Sequence, residues 1–187
     1  MNRFIWHLLP GVRVIIASFP LPKTEKLPKH KIRAFRKDLW NKLLHEENIN
    51  HSIRFDEYGN PSFSTDRKIS TAIWKNKLVL AVSEVWEIGV DLQTPTFGNP
   101  LHITVEEKKI PVEEDIYNTL YFIRAAREAV YKAHGISELS FENTIRLQFD
   151  DGIPFLADVH GSKPGLYRLY PAQWENLFMV VAIRQEP

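Results

Sequence analysis

One carboxylate interrupts an otherwise apolar segment at residues 88–93, which read Ile-Gly-Val-Asp-Leu-Gln. Because side chains alternate along a strand, Asp91 and Gln93 share one face, about 7 Å apart, while Val90 and Leu92 face a core. A carboxylate in such a place needs a partner, since an unpaired buried charge is costly. A bound cation, a hydrogen-bonding turn or an arginine would each serve, and a purely structural role explains the segment as well.

A second candidate pair lies four residues apart, at Glu128 and Lys132. On a helix the two side chains project from one face, opposite an apolar stripe that runs from Leu120 to Ala133. As a surface ion pair they would contribute only about 0.2–0.5 kcal/mol. The same geometry also offers one carboxylate to a metal and one ammonium to a phosphate, so both interpretations stay open.

A basic stretch covers residues 23–37 and contains a single acid, Glu25. Charge runs of this kind usually form a solvated helix face, but lysine and arginine also neutralise phosphate groups. The stretch is therefore either a solvated face or a phosphate-binding site. Its basic residues are Lys23, Lys26, Lys29, Lys31, Arg33, Arg36 and Lys37.

The elements that must position these residues follow an α+β pattern. β-branched and aromatic residues predict strands at 12–19, 52–58, 68–74, 77–83, 86–93, 141–149, 153–159 and 177–184. Apolar spacing predicts one helix in the second half of the basic stretch and another over 112–134, closed by Gly135. Pro10 and Gly11 interrupt the apolar run before the first strand, residues 97–111 predict an irregular connector, and Asp150-Asp151-Gly152 predicts a hairpin turn. Each half runs strand, helix, then several strands. We therefore predict two similar halves, 1–95 and 96–187, in one compact unit.

Composition excludes several classes of protein. The chain has 187 residues, no Cys and a net charge of +1. Without Cys there are no disulfides, thiolate zinc sites or iron–sulfur clusters, and near-neutral charge argues against a nucleic-acid partner. No run of about 18 apolar residues predicts a membrane span. We expect a cytoplasmic protein that contacts neither nucleic acid nor membrane.

Together, the strand and helix segments resemble a known family. A strand carrying Gly89-Val90-Asp91-Leu92 precedes a helix carrying Arg127-Glu128 and then Lys132. This resembles the 4′-phosphopantetheinyl transferase superfamily, whose pattern is Gly-x-Asp-x-Glu followed by Lys-Glu-x-x-x-Lys. Residues 54–64, 68–83 and 177–184 are similar to other family segments in the same order. The length is similar to that of the larger, monomeric type.

The resemblance implies a pseudo-twofold α/β body and a function. The protein would transfer the phosphopantetheine arm from coenzyme A to a serine of an acyl or peptidyl carrier protein. Mg²⁺ would lie between the pyrophosphate and Asp91 and Glu128, beside Gln93. Glu128 would take the serine proton and Lys132 would hold a phosphate oxygen. The further phosphate-binding residues implied are Arg127, Lys29, Arg33 and Arg36.

Four positions depart from the family pattern. Gln93 stands where the larger type usually has a second Glu, Arg127 replaces a Lys, and Asn60 replaces the Lys of a turn at 59–61. Trp74 stands where a phosphate-binding His would be. The departures favour an alternative, a catalytically silent homologue that binds a carrier protein or a coenzyme A-like ligand. A third possibility is an interaction module in which Asp91 is structural and Glu128 and Lys132 form a surface pair.

Overall fold

A computed structural model describes residues 2–19, 29–55, 61–65, 67–94, 113–135, 144–161 and 163–185. Within these ranges the chain is α+β, as expected, with two helices and only antiparallel sheets. The helices are α1 (Lys29–Glu46) and α2 (Glu113–His134). The strands are β1 (Asn2–Leu9), β2 (Val12–Ser18), β3 (His51–Phe55), β4 (Pro61–Thr65), β5 (Lys68–Trp74), β6 (Lys77–Ser83), β7 (Ile88–Gln93), β8 (Ile145–Asp150), β9 (Ile153–Val159), β10 (Gly165–Trp174) and β11 (Leu177–Arg184).

The strands form two main sheets and one separate hairpin. The first sheet has the order β1-β2-β6-β5, the second has the order β7-β11-β10-β9-β8, and β3 pairs with β4. The same connection occurs in both sheets: the strand before the helix, β2 or β7, pairs with the last strand of a hairpin, β5–β6 or β10–β11. The elements from β7 to β11 therefore repeat the order of the elements from β2 to β6.

The strand register aligns two residues of unlike chemistry. Each hairpin turns at two residues, 75–76 or 175–176, and Leu80 and Val180 lie at the same distance after their turns. Ile15 pairs with Leu80 in the first sheet and Asp91 pairs with Val180 in the second. Asp91 therefore occupies in β7 the place that Ile15 occupies in β2.

Three apolar clusters lie in successive layers. The middle cluster is between the two sheets and includes Val14 of β2, Val90 of β7 and Val181 of β11. An outer cluster packs α1 onto the first sheet, and the other packs α2 onto the second sheet. Since β2 and β7 each have one face on the middle layer, their alternate residues face the helices.

Most predicted elements are confirmed, and four of them (β5, β6, β9 and β11) have the predicted bounds. Strands β1, β4 and β10 were not predicted. The interruption expected at Pro10 and Gly11 is a turn between β1 and β2, with Gly11 at φ 74°. Pro171 lies within β10, and a proline in an apolar run lowers its strand signal.

Some predictions lie outside the described residues. These are the turn at residues 59–60, the irregular connector at 97–111 and the boundary between halves near residue 95. The hairpin at 150–152 is described, with positive φ at Asp151 and Gly152, which suits its two-residue turn. None of the described helices combines the length and apolarity that crossing a bilayer requires.

Candidate functional site

The two main sheets meet where β5 and β7 lie side by side, a line of contact that we term the seam. Each of these strands ends its own sheet, so the inward edge needs other hydrogen-bond partners. The buried Ser70 of β5 supplies one: its Oγ accepts the backbone N–H of Val90 at 2.9 Å. This bond fixes β7 to β5 one residue before Asp91.

Helix α2 approaches β7 closely because both elements present small residues. A Cβ built on Gly89 would lie 1.8 Å from the carbonyl oxygen of Ala129 and 2.7 Å from the nitrogen of Ala133. Both alanines are buried against the strand. Only glycine permits this backbone-to-backbone contact. Gly89 therefore sets the distance at which side chains of α2 reach the strand.

The close approach brings the Lys132 ammonium onto the seam. Its Nζ donates to the carbonyl oxygens of Val90 at 2.9 Å and of Thr71 at 3.1 Å. It also donates to Asp91 Oδ1 at 2.7 Å. An ammonium has three donors, so protein oxygens take all of them. Lys132 thus joins α2 to the edge strands of both sheets.

Both oxygens of Asp91 are engaged as well. Oδ1 accepts from Lys132, and Oδ2 accepts from Gln93 Nε2 at 2.7 Å. The predicted common face of Asp91 and Gln93 is confirmed by this contact. The predicted need for a partner is also met, although the partner is neither a turn nor an arginine but the Lys132 ammonium. We refer to Asp91, Gln93, Glu128 and Lys132 as the Asp91 cluster.

Glu128 completes the cluster one helical turn before Lys132. Burial raises the pKa of this carboxyl above its ordinary value, and the negative charge of Asp91 raises it further. The positive charges of Lys132 and Arg124 lower the pKa and offset part of that rise. The two acids are therefore close enough to repel each other. Glu128 and Lys132 do not form a pair facing away from the core, because Lys132 reaches back to the strand.

The end of α2 is held by a buried contact two residues after Lys132. His134 is 3% exposed, and its Nδ1 lies 2.7 Å from the hydroxyl of the fully buried Tyr167. Burial lowers the pKa of His134, and the nearby charges of Lys163 and Arg184 act in the same direction. The neutral imidazole is favoured, so the last turn of α2 carries an uncharged hydrogen bond near neutral pH.

The other predicted ligand-binding residues are described less completely. Arg127 is half-buried beside Glu128, and its Nε has no hydrogen-bond partner among the described residues. Arg36 lies on α1, which packs over the outer face of the first sheet. Lys29 and Arg33 belong to α1 as well, but their side chains lie outside the described part. Among the described contacts, none connects α1 to the Asp91 cluster.

Three residues of the site were not singled out from sequence. The hydroxyl of Ser70 holds β7 in place by accepting the Val90 N–H. Thr71 contributes only its backbone carbonyl, and Arg124 acts on Glu128 through its charge. No residue type or spacing signals the roles of Ser70 and Thr71, because they arise where edge strands of two separate sheets meet. Arg124 lies four residues before Glu128 on α2, and this helical spacing is a signal that the sequence carries.

Comparison with known proteins identifies no relative: neither a family model nor a curated protein matches the chain. Within the described residues, no group of three or more His, Cys, Asp and Glu side chains converges. What the Asp91 cluster offers to a ligand is two carboxylates, one amide and one ammonium. This set suits a hard cation together with an anionic ligand.

Proposed function

We propose that this protein transfers the 4′-phosphopantetheine arm of coenzyme A to a serine of an acyl or peptidyl carrier protein, acting as a monomer. The observation that carries the proposal is the convergence of Asp91 on β7 with Glu128 and Lys132 on α2. These are the residues on which the resemblance to the 4′-phosphopantetheinyl transferase superfamily depends. The repeated element order supports a pseudo-twofold body of the kind that this superfamily has.

Mg²⁺ is the cation that the resemblance implies, and the residues fit it. Magnesium in proteins usually takes one or two carboxylates and completes its coordination with water and substrate phosphates. Asp91 and Glu128 would hold it, and the repulsion that Asp91 exerts on Glu128 is what a cation there relieves. Gln93 adds an amide oxygen once its side chain turns. When bound, the ion would neutralise the pyrophosphate and stabilise charge on the departing 3′,5′-ADP.

The side chains of the cluster supply the remaining chemistry. A raised pKa suits Glu128 to accept the serine proton near neutral pH. The serine oxygen forms a bond to the phosphorus that carries the arm, and the bond from that phosphorus to 3′,5′-ADP breaks. Lys132 would donate to a phosphate oxygen in place of a backbone carbonyl. By the resemblance, Arg127 and the basic residues Lys29, Arg33 and Arg36 of α1 would bind the other phosphates.

Transfer is tested by mass spectrometry of apo carrier proteins incubated with the protein, coenzyme A and Mg²⁺. The expected result is the mass of the arm on one serine of at least one carrier. Asp91→Asn and Glu128→Gln should each abolish this product, while Glu87→Gln, which changes a surface ion pair with Lys68, should not. The proposal fails if both cluster variants retain wild-type activity.

Specific contacts favour a second candidate, a silent homologue that binds coenzyme A or a carrier protein without transfer. Both oxygens of Asp91 are already engaged by protein donors. Trp74, which replaces a phosphate-binding His, is 36% exposed, with the Lys75 ammonium 5.9 Å from its ring centre. Calorimetric binding of coenzyme A without modification of any carrier would support this candidate over the transferase.

A further inference from the structure

We infer that the Lys132 ammonium and a divalent cation compete for Asp91, so that metal binding releases Lys132 from the seam. This inference concerns the regulation of the site and rests on the metal site of the proposed function. It assigns Lys132 two alternating positions. In one it closes the seam between the sheets, and in the other it is available to an anionic ligand.

Competition follows from the occupancy of the Asp91 carboxylate. Lys132 takes Oδ1 and Gln93 takes Oδ2, each at 2.7 Å. Each carboxylate oxygen keeps a second lone pair, but the ammonium bound to Oδ1 places its positive charge directly beside any metal that binds Asp91. The Gln93 amide is neutral and can turn its oxygen toward a cation. The ammonium cannot bind the cation, because it has no lone pair to offer and its positive charge repels the metal.

The structure allows Lys132 to leave without unfolding the helix. Its side chain is 32% exposed, whereas that of Asp91 is 13% exposed. The acid is therefore held in the interface while the lysine reaches it from the rim. When the ammonium departs, it no longer donates to the carbonyl oxygens of Thr71 and Val90, which lie on the two sides of the seam. The β5–β7 contact then depends on the Ser70 bond and on packing.

The release is measured by acylating lysines of the full chain with an amine-reactive ester, with and without Mg²⁺, and quantifying each site by mass spectrometry. We expect Mg²⁺ to raise the labelling of Lys132 several-fold. Lys68, which pairs with Glu87 at 2.8 Å and is half exposed, is the internal control and should not change. Unchanged or reduced labelling of Lys132 at saturating Mg²⁺ overturns the inference.

A binding experiment tests the same competition from the side of the metal. Lys132→Met should bind Mn²⁺ about tenfold more tightly than the wild type, equivalent to about 1.4 kcal/mol. Arg124→Met is the matched control, because Arg124 contributes positive charge at Glu128 without contacting Asp91 in the described structure. The gain in Mn²⁺ affinity of Arg124→Met should be smaller than that of Lys132→Met. Equal gains in the two variants would mean general charge repulsion and would overturn the competition at Asp91.

Both experiments use the metal alone, so their outcome is separable from that of the proposed function. If Lys132 is released by Mg²⁺ but no carrier protein is modified, the competition stands and the transferase activity fails. If a carrier is modified while Lys132 labelling is insensitive to Mg²⁺, the transferase activity stands and the competition fails. If neither ion binds to the wild type or to Lys132→Met, the inference fails together with its metal site.

Discussion

Strands β2 and β7 occupy equivalent places in the two main sheets, yet their helix-facing sides differ in chemistry. In β2 the register position shared with Asp91 holds Ile15, which is fully buried under α1 with Trp40 and Leu44. In β7 the same side carries Gly89, Asp91 and Gln93. The first sheet thus uses this position for a sealed apolar core, and the second sheet uses it for a polar cluster.

The two helices also pack differently. Helix α1 meets its sheet through large side chains such as Trp40, Leu43 and Leu44. Helix α2 meets β7 through glycine and alanine, with backbone almost touching backbone. Large side chains fill an interface but hold the helix away, whereas small ones let a lysine from the helix reach strand carbonyls. The same order of elements therefore supports either a core or a site, depending on side-chain size.

The largest effect is expected from placing the acid of the second sheet at the equivalent position of the first sheet. Ile15→Asp loses a buried isoleucine and introduces a carboxylate with no cation nearby in the apolar cluster. We expect a loss of more than about 4 kcal/mol, enough to prevent folding. Urea unfolding followed by circular dichroism measures it. Ile15→Val, the control, should lose about 0.5–1.5 kcal/mol. A folded Ile15→Asp protein of wild-type stability would refute the contrast between the two sheets.

A methyl group on Gly89 should remove the close packing that distinguishes α2. Gly89→Ala forces the new Cβ onto the Ala129 carbonyl, which is backbone and cannot turn aside. We expect a loss of about 3 kcal/mol, at the upper end for overpacking, together with loss of any ligand binding by the Asp91 cluster. Gly165→Ala is the comparison variant, since its Cβ would meet a side chain at 3.0 Å. Equal losses in the two variants would contradict this account.

Removing the seam hydroxyl should have an intermediate effect. Ser70→Ala leaves the buried N–H of Val90 without its acceptor, and an unsatisfied buried group of this kind costs about 1–3 kcal/mol. Amide hydrogen exchange at Val90 should accelerate in parallel with the shift of the urea midpoint. Ser64→Ala, at an exposed position on β4, should stay within about 0.5 kcal/mol of wild type. Unchanged exchange at Val90 would show that the two sheets do not depend on this bond.

The smallest expected effect is a gain in stability, whereas the preceding substitutions each cause a loss. Burial and Asp91 raise the pKa of Glu128, so the folded state holds this proton more tightly than the unfolded state. Stability from this group is present below pH 4.5 and is lost as pH rises through the raised pKa. Glu128→Gln should therefore stabilise the metal-free protein at neutral pH, by less than about 1 kcal/mol after solvent screening.

Thermal unfolding between pH 4 and 8 in the presence of a chelator checks the Glu128 prediction. The gain of Glu128→Gln over wild type should grow with pH across this range. Glu84→Gln, at an exposed carboxylate, should show no such trend. A variant that is less stable than wild type at pH 7 would mean that Lys132 and Arg124 outweigh burial at Glu128.

Much of the fold was predictable because its signals are local. β-Branched and aromatic residues predicted β5, β6, β9 and β11, helical spacing predicted both helices, and Asp-Gly predicted the turn between β8 and β9. Strand β10 was missed because Pro171 interrupts its pattern. Local residue types determine these elements, whereas the pairing of β7 with β11 depends on contacts distant in sequence.

The candidate site was predictable only in part. The common face of Asp91 and Gln93 follows from strand alternation, and the helical spacing of Glu128 and Lys132 follows from the helix period. That Lys132 pairs with Asp91, and not with Glu128, depends on how closely α2 lies to β7. Gly89 is the sequence feature that permits this distance, but it acquires that meaning only opposite Ala129 and Ala133.

Residue order alone specifies that an acid lies inside an apolar strand and that Glu128 and Lys132 share one helix face. Both follow from local geometry, which repeats every two residues in a strand and every 3.6 in a helix. Long-range packing is what brings β5 and β7 edge to edge, so that one ammonium satisfies Val90, Thr71 and Asp91 together. Such a contact joins three elements far apart in the chain, and its distances are set by the packing of whole layers.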